Sequence, residues 1–213
     1  MNAADYDAWY DTPRGRWIGD AEFGLLQRGL ALRPGDSVLD VGCGTGWFTR
    51  RLAQLPGVQV AGLDINADWL AYARERDAAS SYIEGDALAL PFADNSVDGV
   101  VSIAALCFTA DWRRAVAEVV RVSRGRFAIG MLNRHSLLWR EKGRDGGCGA
   151  YRGAYWVSPE ELRDSVAGLP VTDVCLRSAV FLPSGGLLAW AVERLLPVRL
   201  AIGGCVVLSG RKA

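Results

Sequence analysis

Short hydrophobic runs alternate with segments of helical periodicity between residues 35 and 131. The runs, rich in Val, Ile and Leu, predict strands at residues 37–41, 59–64, 81–85, 97–103 and 126–131. Apolar positions three and four residues apart predict helices at residues 47–55, 66–77 and 111–123. A loop over residues 86–96 takes the place of a helix between the third and fourth runs. This alternation is typical of right-handed βαβ units and predicts an α/β fold with a doubly wound, mostly parallel sheet.

The two ends of the chain extend the pattern. The further predicted elements are two helices within residues 2–31, a capped helix starting at Ser158, strands at 171–182 and 201–209, and a helix at 186–196. The sheet is therefore expected to have seven strands. We expect one domain over residues 1–213, in which a helical part (1–31) precedes the core (35–131) and a segment rich in Gly, Arg and aromatic residues (133–156) follows it.

Composition narrows the classes of function. Lys and Arg total 24, as do Asp and Glu, so the chain lacks the basic excess of a nucleic-acid-binding protein. The N-terminus does not resemble a secretory signal, and no apolar run is long enough to predict a membrane span. The five cysteines form no CxxC pair, which predicts free thiols in a reducing cytoplasm and no metal site.

A glycine-rich turn follows the first predicted strand, in the sequence Val38-Leu39-Asp40-Val41-Gly42-Cys43-Gly44-Thr45-Gly46. Glycines there permit left-handed dihedrals and let a ligand approach the backbone. A dinucleotide site needs a third glycine where this chain has Trp47 or Thr49, and a P-loop needs a Gly-Lys-Ser/Thr that is absent. The turn therefore predicts a ligand held without a phosphate; a turn that serves packing alone is the alternative.

Two carboxylates end the next two strands. Asp64 lies about twenty residues past the glycines, where a carboxylate accepts hydrogen bonds from a ribose diol. Asp86 follows the third strand, where it is suited to an adenine amino group, and the backbone N–H of Ala87 is free to donate to the ring. Ile65 and Leu88 offer apolar faces to the base.

Taken in order, VLDVGCGTG, GLDIN and GDALALPFADNSVDGVVS resemble the class I S-adenosylmethionine (SAM)-dependent methyltransferases, in particular the small bacterial group related to ubiquinone/menaquinone-type C-methyltransferases. The resemblance covers about residues 35–131. It implies a Rossmann-like methyltransferase fold that binds SAM and releases S-adenosyl-L-homocysteine (SAH). In it the glycine turn holds the methionine part, Asp64 the ribose, Asp86 the adenine, and Ile103–Leu106 lines the methionine side. The cofactor-binding residues expected are Asp40, Gly42, Cys43, Gly44, Asp64, Ile65, Asp86, Ala87, Ile103 and Leu106.

The chain departs from the family at one turn. Ser123-Arg124-Gly125-Arg126 stands where the family often has Arg-Pro-Gly-Gly before the fifth strand. We expect this difference to alter only the turn.

The segments on either side of the core are expected to shape the acceptor site. The sequence from Tyr6 to Pro13 resembles the N-terminal lid of related enzymes, so Tyr6, Tyr10 and Trp17, with Trp139 from residues 133–156, are predicted to contact the substrate. The alternative for this segment is an amphipathic helix packed on the core through Tyr6 and Trp9. His135, the only histidine, is predicted as a general base, although a loop histidine without that role is more common.

The resulting hypothesis is an enzyme that transfers a methyl group from SAM to a small hydrophobic or aromatic acceptor by in-line displacement. The alternative is a SAM-binding regulatory or partner protein without transferase activity. The strongly apolar predicted helix at 186–196 suggests a homodimer face, although packing against the last strands is the simpler explanation.

Overall fold

A computed structural model describes residues 2–213 of the chain. The helices are α1 (Ala3–Trp9), α2 (Pro13–Leu30), α3 (Trp47–Ala53), α4 (Ala67–Arg76), α5 (Trp112–Val122), α6 (Leu137–Lys142), α7 (Pro159–Asp164) and α8 (Leu187–Leu195). The strands are β1 (Ser37–Val41), β2 (Gln59–Asp64), β3 (Ser81–Glu84), β4 (Val97–Ile103), β5 (Ser123–Leu132), β6 (Val171–Ala179) and β7 (Cys205–Lys212).

The seven strands form one sheet in the order β3-β2-β1-β4-β5-β7-β6. Neighbours from β3 to β5 run parallel, and β7 is antiparallel to both β5 and β6. The predicted doubly wound, mostly parallel, seven-stranded sheet is therefore confirmed. The order of strands reverses between β1 and β4, which is the point where open α/β sheets leave a crevice beyond the carboxyl ends of their strands.

Apolar side chains cover both faces of the sheet. On one face Val116 and Val119 of α5 pack in the same buried cluster as Phe127 and Ile129 of β5. On the other face α2 lies close against the strands, because a Cβ at Gly29 would come within 2.9 Å of the Ser209 Cβ. The second N-terminal helix, α2, is thus a layer of the core. Of the two N-terminal helices, only α1 is left to cover the carboxyl ends of the strands.

The starts of two strands differ from the sequence prediction. β5 begins at Ser123 directly where α5 ends, so Ser123–Arg126 is strand and not a turn; Arg124 ties it to β4 by donating to the Asp98 carboxylate. β7 begins at Cys205, four residues later than predicted, and both changes reflect pairing partners that a local pattern does not contain. The predicted loop 86–96 is present, and among residues 2–213 no helix is long and apolar enough to cross a membrane.

Candidate functional site

The glycine turn after β1 has the left-handed backbone that its sequence predicted. Gly42, Gly44 and Gly46 have φ values of 75°, 56° and 80°. A Cβ at Gly42 would overlap the Ala105 Cβ, and one at Gly46 would lie 2.5 Å from the Tyr82 hydroxyl oxygen. These two glycines are therefore required by both conformation and close packing.

The carboxyl end of β4 lies against this turn. Ala104 is a non-glycine residue with φ of 48°, and its N–H donates to the Gly130 carbonyl at 3.0 Å. Strained backbone of this kind persists only where surrounding structure enforces it, and it is common at binding sites. The flanking predicted residues, Ile103 and Leu106, are buried, so the backbone of residues 104 and 105 is the part of this end that a ligand can reach.

Asp64 at the end of β2 is joined directly to the turn. Its Oδ2 accepts from Gly44 N–H at 2.7 Å, and its Oδ1 accepts from Asn66 N–H at 2.9 Å. Each carboxylate oxygen has capacity for another hydrogen bond, and the two lie where a ribose diol can donate to both. The neighbouring Ile65 is 71% exposed, so its apolar side chain is available to pack against a flat base.

The third carboxylate, Asp86, lies in the loop after β3. Its Oδ1 accepts from Leu88 N–H at 2.8 Å, which fixes the turn, and its other oxygen has no protein partner among the described residues. Ala87 and Leu88 are partly buried against the core. The free carboxylate oxygen and the apolar Ile65 and Leu88 fit a heteroaromatic ring with an amino group.

Asp40 has a different role from Asp64 and Asp86. It is buried, and Oδ2 accepts from the Thr49 hydroxyl at 2.7 Å. Burial raises its pKa to about 7, and the Thr49 hydrogen bond opposes that rise. Asp40 therefore holds α3 to the turn from within. The predicted Cys43 is also buried, and burial raises the pKa of its thiol, so it is a packing group and not a nucleophile.

The sequence prediction missed the contact that holds α1 over the turn. Asp7 accepts from the Thr45 hydroxyl at 2.8 Å and forms an ion pair with Arg50, whose Nη2 donates to both carboxylate oxygens. Nη1 of the same guanidinium donates to the Thr45 carbonyl at 2.7 Å. Both charged side chains are mostly buried. No local sequence signal marks this pair, since the two residues are 43 positions apart.

Aromatic rings continue the contact between α1 and the core. Tyr10 stacks on Trp47 with ring centroids 4.2 Å apart, and Tyr6 lies 4.8 Å from the Trp69 ring. Tyr6 and Tyr10, two of the predicted substrate residues, are thus side by side. Trp17, the third, is buried in the core face of α2 with 6% of its surface exposed.

The segment 133–156 folds as short helical turns beside the same end of the sheet. Trp139 and Trp156 pack around Gly143, where a Cβ would lie 2.7 Å from Trp156, and Tyr151 contacts Trp156 with ring centroids 5.6 Å apart. The buried Trp156 Nε1 has no hydrogen-bond partner among residues 2–213. His135 is exposed in the turn before α6.

The arrangement fits a ligand that has a ribose-like diol, a flat base and an extended polar tail. The fit rests on the free acceptor capacity of Asp64 and Asp86, the exposed Ile65 and the glycine turn. No group of three or more potential metal ligands occurs within residues 2–213. An open groove of about 540 Å³ at Arg163 and Asp173 lies on the β6 edge, away from these residues.

The middle of the chain is similar in sequence to known methyltransferases. Residues 39–129 match the sequence family described as "Methyltransferase domain". The chain is 42% identical over 124 residues to a malonyl-[acyl-carrier protein] O-methyltransferase of Pectobacterium atrosepticum, covering 54% of this chain and 49% of the relative. It is 43% identical over 137 residues to a demethylmenaquinone methyltransferase of Symbiobacterium thermophilum, covering 60% and 49%. The resemblance found in the motifs is confirmed for this segment.

The solved structures extend the likeness to the whole fold. A protein of Thermotoga maritima, described as a SAM-dependent methyltransferase and possible histamine N-methyltransferase, superposes with a TM-score of 0.75. The match covers 99% of this chain and 95% of that protein at 24% sequence identity. At that identity the likeness establishes the fold. The chain spans about half the length of the curated relatives it matches, 49% in both cases given above.

Proposed function

We propose that this protein is an enzyme that binds SAM and transfers its methyl group to a small-molecule acceptor. The observation that carries the proposal is the 2.7 Å hydrogen bond from Gly44 N–H to Asp64, which joins the glycine turn to the carboxylate expected to bind the ribose. The exposed Ile65 and the free oxygen of Asp86 support an adenine beside it. SAM supplies a methyl group on a sulfonium, which is electrophilic without a metal.

The protein's own residues contribute mainly position and exclusion of water. The turn and the strained end of β4 at Ala104 would hold the tail of SAM, and bound SAM would supply the methyl group. Tyr6 and Tyr10 pack beside this turn, and the ion pair of Asp7 with Arg50 keeps α1 in place. Rate then depends on holding donor and acceptor in line in a site with little water. His135 remains a predicted general base.

Calorimetric titration with SAM and with SAH tests the proposal, on the wild type and on Asp64→Ala. We expect the variant to bind both ligands about 30-fold or more weakly, because it loses two charge-assisted hydrogen bonds to the ribose. Asp94→Asn is the matched control, since that carboxylate lies on an exposed loop and pairs with Arg121. Failure of folded wild type to bind either ligand contradicts the proposal.

Transfer itself is tested with SAM labelled in the methyl group and a panel of small acceptors, with and without the protein. Incorporation of label supports an enzyme. Tight SAM binding without transfer to any acceptor supports the alternative, a regulatory or partner protein. We expect a hydrophobic or aromatic acceptor, because the rings of Tyr6 and Tyr10 pack beside the glycine turn against Trp69 and Trp47.

Three further features belong to this proposal. We propose that the lid, core and segment 133–156 work as one domain, supported by the packing of α2 on β4, β5, β6 and β7. The apolar side chains exposed on α8 support a homodimer. All five cysteines are free in the described residues, which supports a reducing cytoplasmic environment.

A further inference from the structure

The loop between β3 and β4 carries the groups proposed for the adenine, yet residues 85–96 contain no helix or strand. Its first turn is local: Asp86 Oδ1 accepts from Leu88 N–H at 2.8 Å, and the Asp86 carbonyl accepts from Ala89 N–H at 3.1 Å. These bonds shape the turn but do not place it relative to the sheet. Its position therefore depends on what holds its two ends.

The first end of the turn is fixed to β2. Gly85 N–H donates to the Asp64 carbonyl at 3.0 Å, so the loop leaves the sheet beside the residue proposed for the ribose. A Cβ at Gly85 would lie 2.9 Å from Leu63 Cδ1 and 3.6 Å from Pro91 Cδ. The start of the loop is thus packed closely against β2.

The second end is held by an ion pair on α5. Leu90 N–H donates to Glu118 Oε2 at 2.8 Å, and the Leu90 carbonyl accepts from Arg121 Nη2 at 3.0 Å. Arg121 also donates through Nε and Nη2 to the two oxygens of Glu118, at 2.6 and 2.7 Å. Paired bonds of this kind fix direction as well as distance. One ion pair therefore binds both backbone polar groups of Leu90, whose side chain is buried.

Arg121 reaches further along the same loop. Its Nη1 donates to the Phe92 carbonyl at 2.9 Å and to Asp94 Oδ1 at 2.7 Å. The bond to Asp94 contributes least, because that side chain is 69% exposed, so the loop does not depend on it. The hydrogen bond from Arg121 keeps the pKa of Glu118 below its usual value, and the pair stays charged at neutral pH.

We propose that the Glu118–Arg121 pair positions the Asp86 turn and thereby sets the selectivity of the cofactor site for a base with a 6-amino group. This inference rests on the proposed function and specifies what tunes its cofactor site. The free Asp86 oxygen accepts from an amino group only at hydrogen-bond distance and angle, which the position of the turn decides. Glu118 and Arg121 are positioning residues, because their bonds are to the loop.

The test compares SAH with S-inosylhomocysteine, which has a 6-oxo group in place of the 6-amino group. Both are titrated calorimetrically into the full chain. We expect wild type to bind SAH about 30-fold or more tightly, because the 6-oxo group leaves the Asp86 carboxylate facing another acceptor. In Arg121→Gln we expect this ratio to fall to about fivefold or less. A general loss of stability lowers both affinities by the same factor, so the ratio reports positioning alone.

Three further variants sharpen the result. Arg121→Lys keeps the charge but has one nitrogen to reach the same acceptors, so we expect an intermediate ratio. Arg124→Gln is the matched control, because Arg124 Nε donates to Asp98 at 2.9 Å and not to the loop; its ratio should equal that of wild type. In Asp86→Ala the ratio should be close to one, and adding Arg121→Gln should change it no further.

A measurement on the wild type keeps the inference testable if Arg121→Gln does not fold. Hydrogen exchange of the Leu90 N–H is followed by NMR with and without SAH. A loop already positioned by α5 protects this N–H in the free protein, so we expect SAH to slow its exchange by less than about threefold. Slowing by more than about tenfold would mean that the ligand orders the loop, and it would overturn the inference.

The remaining outcomes also decide. An unchanged ratio in folded Arg121→Gln, or an equal fall in Arg124→Gln, contradicts positioning by the pair. Wild type that binds SAH and S-inosylhomocysteine equally contradicts the selectivity itself and leaves SAM binding intact. Wild type that binds neither ligand contradicts the proposed function, which separates the two failures.

Discussion

The two sides of the strand crevice place their polar groups in opposite ways. On the side proposed for the cofactor, Asp64 ends β2 and Asp86 lies in the loop after β3, and both already accept hydrogen bonds from nearby backbone N–H groups. By contrast, Glu22 comes from a helix that precedes the first strand, is 7% exposed, and has its pKa raised to about 8 by burial. Asp64 and Asp86 thus have fixed backbone partners, whereas burial favours the protonated form of Glu22.

The comparison also separates what is general from what is particular to this chain. Carboxylates at strand ends are suited to any ribose and adenine, so the same groups serve many acceptors. The aromatic residues beside the glycine turn, Tyr6 and Tyr10, are where we expect the acceptor to be selected. We therefore expect changes on the cofactor side to affect SAM binding and folding, and changes on the acceptor side to affect selectivity and pH dependence.

The largest effect is expected for Gly42→Ala. The new Cβ would overlap Ala105 in a backbone with φ of 75°, so we expect a stability loss of about 2–4 kcal/mol and SAH affinity lowered by more than tenfold. Urea unfolding and calorimetry measure the two effects. Gly24→Ala is the control, because Gly24 is in α2 with nothing within 4 Å of its new Cβ, and it should be neutral or stabilising. Equal effects of both changes would contradict the role of the turn.

A smaller effect is expected in the pH dependence of stability. The pKa of Glu22 is about 8 in the folded protein against 4.5 for an ordinary glutamate, so the folded state holds its proton more tightly. Stability from this group is complete below pH 4.5 and falls as the pH rises toward 8. Glu22→Gln should remove part of that fall, leaving the variant a few kcal/mol more stable than wild type at pH 8. Asp40, with its pKa raised to about 7, contributes a fall of the same sign in both proteins. The free energy of unfolding of both proteins is measured with urea from pH 5 to pH 8. A difference between wild type and Glu22→Gln that stays constant over this range would contradict the burial of Glu22.

A still smaller effect on stability is expected from breaking the ion pair of Asp7 with Arg50, which holds α1 over the glycine turn. Asp7→Asn removes the partner of Arg50, and we expect about 1 kcal/mol less stabilisation of α1, seen as faster hydrogen exchange in residues 3–9. Asp11→Asn is the matched control, because that side chain is 81% exposed and lies 3.7 Å from Arg16. If exchange in α1 is unchanged in Asp7→Asn, the ion pair does not hold the helix.

The smallest effect on stability is expected on α8. Leu187 and Leu195 are 92% and 80% exposed, so Leu187→Ser with Leu195→Ser should change the free energy of unfolding by less than about 0.5 kcal/mol. The mass in solution, measured by light scattering, should fall from dimer to monomer. A monomeric wild type contradicts the proposed homodimer and leaves the comparison of the two sides unaffected.

Most of the sheet could be predicted from the sequence because its signals are local. Hydrophobic runs located the strands, and Asp64 was placed correctly because a strand end fixes its position relative to the glycines. The same reasoning placed β7 four residues early and missed the strand at Ser123, because each depends on pairing with distant chain. Trp17 was predicted to contact substrate on the strength of its aromatic side chain, whereas it lies buried in the core face of α2.

The sequence by itself determined the class of fold, the glycine turn and the carboxylates at the strand ends, since in each the chemistry lies within a few residues of the backbone signal that positions it. Only the tertiary structure decided that Asp7 would meet Arg50, that α2 would be a core layer, and that Tyr10 would stack on Trp47. Those contacts join residues many positions apart, and the folding of helices onto the sheet is what brings them together.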